Sequence, residues 1–101
     1  MIEVRKTDAY ERWFQGLRDQ RAQARINVRI RRLSLGNMGD VKPAGAGVSE
    51  LRIDYGPGYR VYFMRRDETV LVLLGGGDKG SQPRDIAAAL RLAKENLACQ
   101  N

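Results

Sequence analysis

Histidine is absent from this chain of 101 residues. That removes the commonest general base, the commonest protein metal ligand and every device that activates serine or cysteine through an imidazole. Cysteine occurs once, at Cys99, so no internal disulfide can form and a reducing, cytoplasmic compartment is expected. With one thiol and no imidazole, a zinc site has no ligand set; neither metal nor cofactor is expected. No apolar run approaches the roughly 20 residues that span a bilayer, and no signal peptide opens the sequence, so no membrane role is expected. Acidic residues are also scarce: 12 Asp and Glu face 18 Lys and Arg, for a net charge of +6. Fourteen of those bases are arginine, the side chain suited to bidentate contacts with phosphate and carboxylate. A small, strongly basic domain points to nucleic acid or an acidic protein partner; solubility alone is the plainer explanation of the same charge.

No repeat, low-complexity tract or long linker divides the chain, so residues 1–101 read as a single domain. Ile2–Arg5 alternates as a short first strand. Asp8, with Glu11 three residues on, resembles a capping box that starts a helix carrying Ala9, Tyr10, Trp13, Phe14 and Leu17 at helical spacing. Asp19 starts a second helix, which runs to about Leu35 and stops at Gly36. Its stripe Ala22, Ile26, Ile30 and Leu33 should dock on the core. A second stripe, Arg18, Arg21, Arg25, Arg29 and Arg32, forms a ladder of positive charge fit to track phosphates or an acidic partner. A solvated face is the alternative, at the cost of mild repulsion within the row.

The glycine-rich stretch Gly36–Gly47 reads as a connecting loop. From Val48 the hydrophobic period becomes two. Leu51 and Ile53 share one face, then Tyr59, Val61 and Phe63 continue it across a Gly56-Pro57-Gly58 turn. Keeping the faces matched predicts the pairs Tyr55–Tyr59, Ile53–Val61, Leu51–Phe63, Asp54–Arg60 and Arg52–Tyr62. A third strand, about Thr69–Leu74, is apolar on both faces and ends at Gly75-Gly76-Gly77. Ser81 can cap a last helix with Pro83 in its first turn and Ile86, Ala89, Leu90, Ala93 and Leu97 on its apolar face. The expected order is β-α-α-β-β-β-α. It describes an α+β domain with a small antiparallel sheet, an N-terminal helical hairpin, a C-terminal helix, and the helices on one side.

The polar face of the hairpin collects Glu50, Arg52, Asp54, Arg60 and Tyr62, with Lys79 and Gln82 brought toward one end. Arginines and a lysine in one concavity suit a phosphodiester, whose pentacoordinate transition state carries extra negative charge. RNA supplies its own nucleophile, the 2′-hydroxyl. Candidates for the proton acceptor are Glu50, Asp54, Lys79 and Tyr62; lysine and tyrosine would need lowered pKa values. Cross-strand pairing of Asp54 with Arg60 and Glu50 with Arg52 would neutralise the same face without any chemistry, and spacing supports either.

The stretches Gly47–Phe63 (GVSELRIDYGPGYRVYF) and Leu73–Ile86 (LLGGGDKGSQPRDI), with Arg18–Gly45 upstream, resemble the RelE/ParE toxin superfamily. The similarity is greatest to its HigB-like, phage-derived addiction module killer branch. This resemblance implies the toxin of a type II toxin–antitoxin pair. The implied activity is metal-independent, ribosome-dependent mRNA cleavage (an mRNA interferase) leaving a 2′,3′-cyclic phosphate. The implied partners are mRNA, the ribosome and a helix-turn-helix antitoxin. It places catalytic positions at Arg52, Arg60 and Lys79: Arg60 as phosphate and transition-state stabiliser, Arg52 as charge stabiliser or proton relay, Lys79 as phosphate clamp or leaving-group acid. Glu50 and Gln82 belong to the branch pattern, and Tyr62 completes the catalytic candidates. Where RelE proper has a second lysine this chain has Asp54, and no Tyr or His follows Tyr62; Ile86 sits in that neighbourhood. The alternatives are a ParE-like toxin that inhibits DNA gyrase without catalysis, or a weak nucleic-acid or antitoxin-binding module.

Overall fold

The computed structural model describes residues 2–98; Met1 and residues 99–101, Cys99 among them, lie outside the described residues, as do the side chains of Leu97 and Ala98. Five strands and three helices follow one another as β1 (Glu3–Lys6), α1 (Asp8–Gln15), α2 (Gln20–Ser34), β2 (Val41–Gly45), β3 (Val48–Ile53), β4 (Tyr59–Asp67), β5 (Val70–Asp78) and α3 (Gln82–Ala98). A 3₁₀ turn, Lys79–Ser81, joins β5 to α3. The domain is α+β, and its sheet is mixed. The strand order is β1-β5-β4-β3-β2, with β1 parallel to β5 and every other pair antiparallel. No helix among the described residues is long and apolar enough to cross a membrane.

The expected antiparallel sheet with its helices on one side is therefore corrected twice. Leu51, Ile53, Val61, Phe63, Leu71 and Leu73 pack on one face against Tyr10, Ile26, Ile30 and Leu33 of α1 and α2. The opposite face buries Val48, Tyr62, Met64, Val70, Val72 and Leu74 against Ala89 and Ala93 of α3. The apolar character of both faces of β5 is the cause: each needed a cover.

Within Gly36–Gly47, expected as loop, Val41–Gly45 forms the edge strand β2. Pro43 is tolerated there because an edge strand leaves one row of N–H groups unpaired. The turn into β3 has positive φ at both Ala46 (49°) and Gly47 (81°), the pattern of a primed hairpin turn.

The glycine triplet does not end β5. Gly75, Gly76 and Gly77 lie inside it, paired with Tyr62, Val61 and Arg60. Their smallness serves packing: a Cβ on Gly76 would fall within the Trp13 ring, and one on Gly77 would strike the Asp85 carboxylate.

The cap of α1 is Thr7 rather than Asp8; its hydroxyl accepts from the Tyr10 N–H at 3.2 Å. Asp19 caps α2 as expected, accepting from Arg21 and Ala22. The Ala22 N–H, with the Tyr55 hydroxyl at 3.0 Å, holds the Asp19 carboxyl below the ordinary carboxylate range. Ahead of α3, Asp78 caps the 3₁₀ turn: it accepts from the Gly80 and Ser81 N–H groups, and the Ser81 hydroxyl accepts from the Asp78 N–H in return. Pro83 lies in the first turn of α3, as expected.

Candidate nucleic-acid interface

The site is built on the β3–β4 hairpin. Its register pairs Ile53 with Tyr59, Arg52 with Arg60, Leu51 with Val61, and Glu50 with Tyr62. That is two residues away from the expected pairing, a slip that keeps every side chain on its face but lengthens the loop. Residues 54–58 make that loop, closed by Gly58 N–H donating to the Tyr55 carbonyl at 3.1 Å, with positive φ at Gly56 and Gly58. Asp54 leaves the strand and enters the loop, so the expected Asp54–Arg60 pair does not form. Two arginines stand directly opposite each other instead.

Like charges abreast in a sheet repel. Glu50 resolves the conflict. It is buried, and its Oε1 lies 3.2 Å from Arg60 Nε and 3.9 Å from Arg52 Nε. Its Oε2 accepts from Gln82 Nε2 of α3 at 2.7 Å. The contact to Arg60 is an ion pair rather than an aligned hydrogen bond, since neither Glu50 Oε1 nor Arg60 Nε completes hydrogen-bond geometry. Arg60 Nη1 donates to the carbonyls of Gly58 and Tyr59, both at 3.2 Å, leaving Nη2 with no partner among the described residues. Arg60 is thus held from three sides.

Beside this brace opens a groove of about 450 Å³, lined by Arg52, Arg60, Lys79, Asp40, Asp54 and the Gly56–Gly58 turn. Gly58 (φ +82°) supplies the left-handed backbone with which the turn closes beside it, and a Cβ there would make only ordinary contacts with Lys79 and Arg60. Lys79 is exposed at the start of the 3₁₀ turn, and Arg52 Nε lies 3.9 Å from Asp40 Oδ2. The structure therefore brings Arg52, Arg60 and Lys79 to one opening.

Three expected participants do other work. Tyr62 does not line the groove; it is fully buried against α3, and its hydroxyl has no partner. Burial, and then the Glu50 and Asp85 carboxylates, push its pKa up, the wrong direction for a base. Glu50 is enclosed by Arg60, Arg52 and Gln82; Gln82, expected at the RNA or partner surface, is its hydrogen-bond donor.

The arginine ladder forms a second groove of about 650 Å³, lined by Arg21, Ala24, Arg25, Val28, Arg29, Arg32, Ile53 and Asp54. Its members are not equivalent. Arg18 precedes α2 and lies off the groove. Arg25 stacks over the Tyr55 ring at 4.5 Å from its centre. Arg29 is a staple: Nη1 donates to the Arg52 carbonyl at 2.8 Å, beneath the loop at Gly39. Spacing in the sequence could place the row; the backbone carbonyl that captures Arg29 belongs to a strand it could not specify.

In comparison with other proteins, the chain is 46% identical over 94 residues to an uncharacterized protein of Haemophilus influenzae, covering 93% of this chain and 95% of that one. The chain belongs to that protein's family. No family model matches the sequence. A match of 94 residues out of 101 takes in the span from Arg21 to Lys79, which holds the hairpin groove and the arginine helix.

Proposed function

We propose that the protein is the toxin of a toxin–antitoxin pair and acts as a metal-independent endoribonuclease on translated mRNA. The carrying observation is the open groove into which Arg52, Arg60 and Lys79 converge. The resemblance to the HigB-like branch of the RelE/ParE superfamily supports the same reading. In it, the scissile phosphate sits against Arg60 Nη2, whose guanidinium is already fixed and so needs no reorganisation as charge builds in the transition state. Arg52 and Lys79, more exposed, neutralise the non-bridging oxygens and the leaving 5′-oxygen. Attack by the 2′-hydroxyl forms the 2′,3′-cyclic phosphate and releases a 5′-hydroxyl. Of the proton acceptors expected from the sequence, Tyr62 is buried and Glu50 enclosed, which leaves Asp54 and Lys79 exposed at the groove.

A second reading rests on the pairing of Arg60 and Arg52 with Glu50, which reduces the net positive charge of the site. It is a ParE-like toxin that inhibits DNA gyrase without cutting RNA. Induced expression separates the two. New 5′-hydroxyl ends within translated messages, lost in Arg60→Ala and Lys79→Ala, support the nuclease. Intact messages with a DNA-damage response support the gyrase inhibitor and remove the nuclease.

A further inference from the structure

The two grooves adjoin at the end of the hairpin. Ile53 and Asp54 line both, so the opening that holds Arg52, Arg60 and Lys79 borders the one lined by Arg21, Arg25 and Arg32. The row from Arg21 to Arg32 extends about 16 Å along α2, given a rise of about 1.5 Å per residue. Its guanidiniums outnumber its one carboxylate. Apolar floor from Ala24, Val28 and Ile53, together with the Arg25 plane lying on Tyr55, offers stacking surface between the charges.

Asp54 is the anomaly. It is exposed at the junction and, among the described residues, makes neither an ion pair nor a side-chain hydrogen bond. A carboxylate at that point repels phosphate. It can only accept hydrogen bonds, so its favourable counterpart on a nucleic acid is a base edge that donates. Guanine presents adjacent N1–H and N2–H₂ donors matching two carboxylate oxygens. Uracil offers one N–H between two carbonyls.

Resting on the nuclease reading, we propose that the arginine groove of α2 binds the flank of the same single RNA strand whose scissile linkage lies in the hairpin groove, and that Asp54 at the junction selects a donor-rich base, guanine foremost. The strand passes from one groove to the other with its backbone toward the arginines and one base turned to Asp54. Bases read on their open edges are the common mode for single-stranded RNA.

The test uses the full chain and fluorescein-labelled RNA with 2′-deoxyribose at the central linkages, so that nothing is cut. Strands of about three and about eight nucleotides, within the site sizes such proteins cover, are made all-uridine or with one central guanine. Binding is read by anisotropy. The wild type should bind the longer strand more tightly than the shorter, and the guanine strand about tenfold more tightly than the uridine strand. Asp54→Asn should shrink that ratio to near unity. Arg21→Gln with Arg32→Gln should weaken the longer strand about tenfold and leave the shorter one unchanged. Thermal unfolding of each variant checks that the fold is kept. An unchanged guanine preference in Asp54→Asn overturns the base-reading role and leaves the nuclease standing. Equal effects of the arginine pair on both lengths, or a glutamate-rich peptide that requires those arginines while the RNA does not, overturn the shared track. No binding of any strand by the wild type overturns this proposal, while the nuclease reading stands or falls separately on 5′-hydroxyl ends in translated messages.

Discussion

Glu50 sets the behaviour of the hairpin at the scale of single residues. Removing one member of a buried ion pair leaves the other charge uncompensated, at about 3–5 kcal/mol. Glu50→Ala should therefore destabilise the domain by that order in urea unfolding, because Arg52 and Arg60 would face each other with nothing between them. Tyr62 makes the opposite prediction. Its buried hydroxyl has no partner among the described residues, so Tyr62→Phe should be neutral or stabilising by about 1 kcal/mol, and the proposed RNA cleavage should be retained. Loss of cleavage in a stable Tyr62→Phe protein would return that hydroxyl to the chemistry.

The same residue gives a pH signature. Tyr62 and Tyr10 both have their pKa values raised by burial. Above about pH 10 the unfolded chain releases phenolic protons that the folded chain retains. The unfolded state then binds fewer protons, so stability present below that pH is lost as pH rises. Denaturant midpoints should fall from pH 10 upward, and less steeply in Tyr62→Phe.

At the scale of elements, β5 and α2 show what can be read from a chain and what cannot. The α2 stripe and its Asp19 cap were legible because periodicity and capping are local. The glycines of β5 were not. A run of three reads as a stop, and the reason they sit inside a strand is Trp13 of α1, distant in sequence, and Asp85 of α3, folded back by the turn that follows the strand. Gly76→Ala would drive a methyl into the indole and should cost about 1–3 kcal/mol. Gly75→Ala, with nothing within 4 Å of its Cβ, should change stability by less than about 0.5 kcal/mol in the same measurement. Equal effects would show that backbone freedom, and not the packing of Trp13, selects these residues. The β2 strand hid behind Pro43 and its flanking glycines, which a sheet edge accepts. The two-residue error in hairpin register has a similar origin: alternation fixes the face, while the turn fixes the offset. As a result the membership of the groove was legible for Arg52, Arg60 and Lys79, as was the pairing of Glu50 with Arg52, while the brace that ties Glu50 to Arg60 and Gln82 was not. That brace depends on α3 covering the face expected to be open.

At the scale of the molecule, a net charge of +6 is distributed so that two adjoining basic grooves, on the hairpin and on α2, meet at Asp54. If single-stranded RNA occupies both, about four or five phosphates are neutralised, and log K should fall with log salt at a slope of roughly −3. A slope near zero in a salt titration would place binding outside these grooves.

The pairing of β1 with β5, Glu3 beside Val70 and Lys6 beside Leu73, carries one more consequence. β1 borders a strand some 67 residues further along, so its hydrogen bonds wait until β5 has been made and released. Closing so long a loop is slow, and contacts of such wide separation form late in folding. Until β1 docks, that flank of β5 is an open edge, able to accept a strand from another chain.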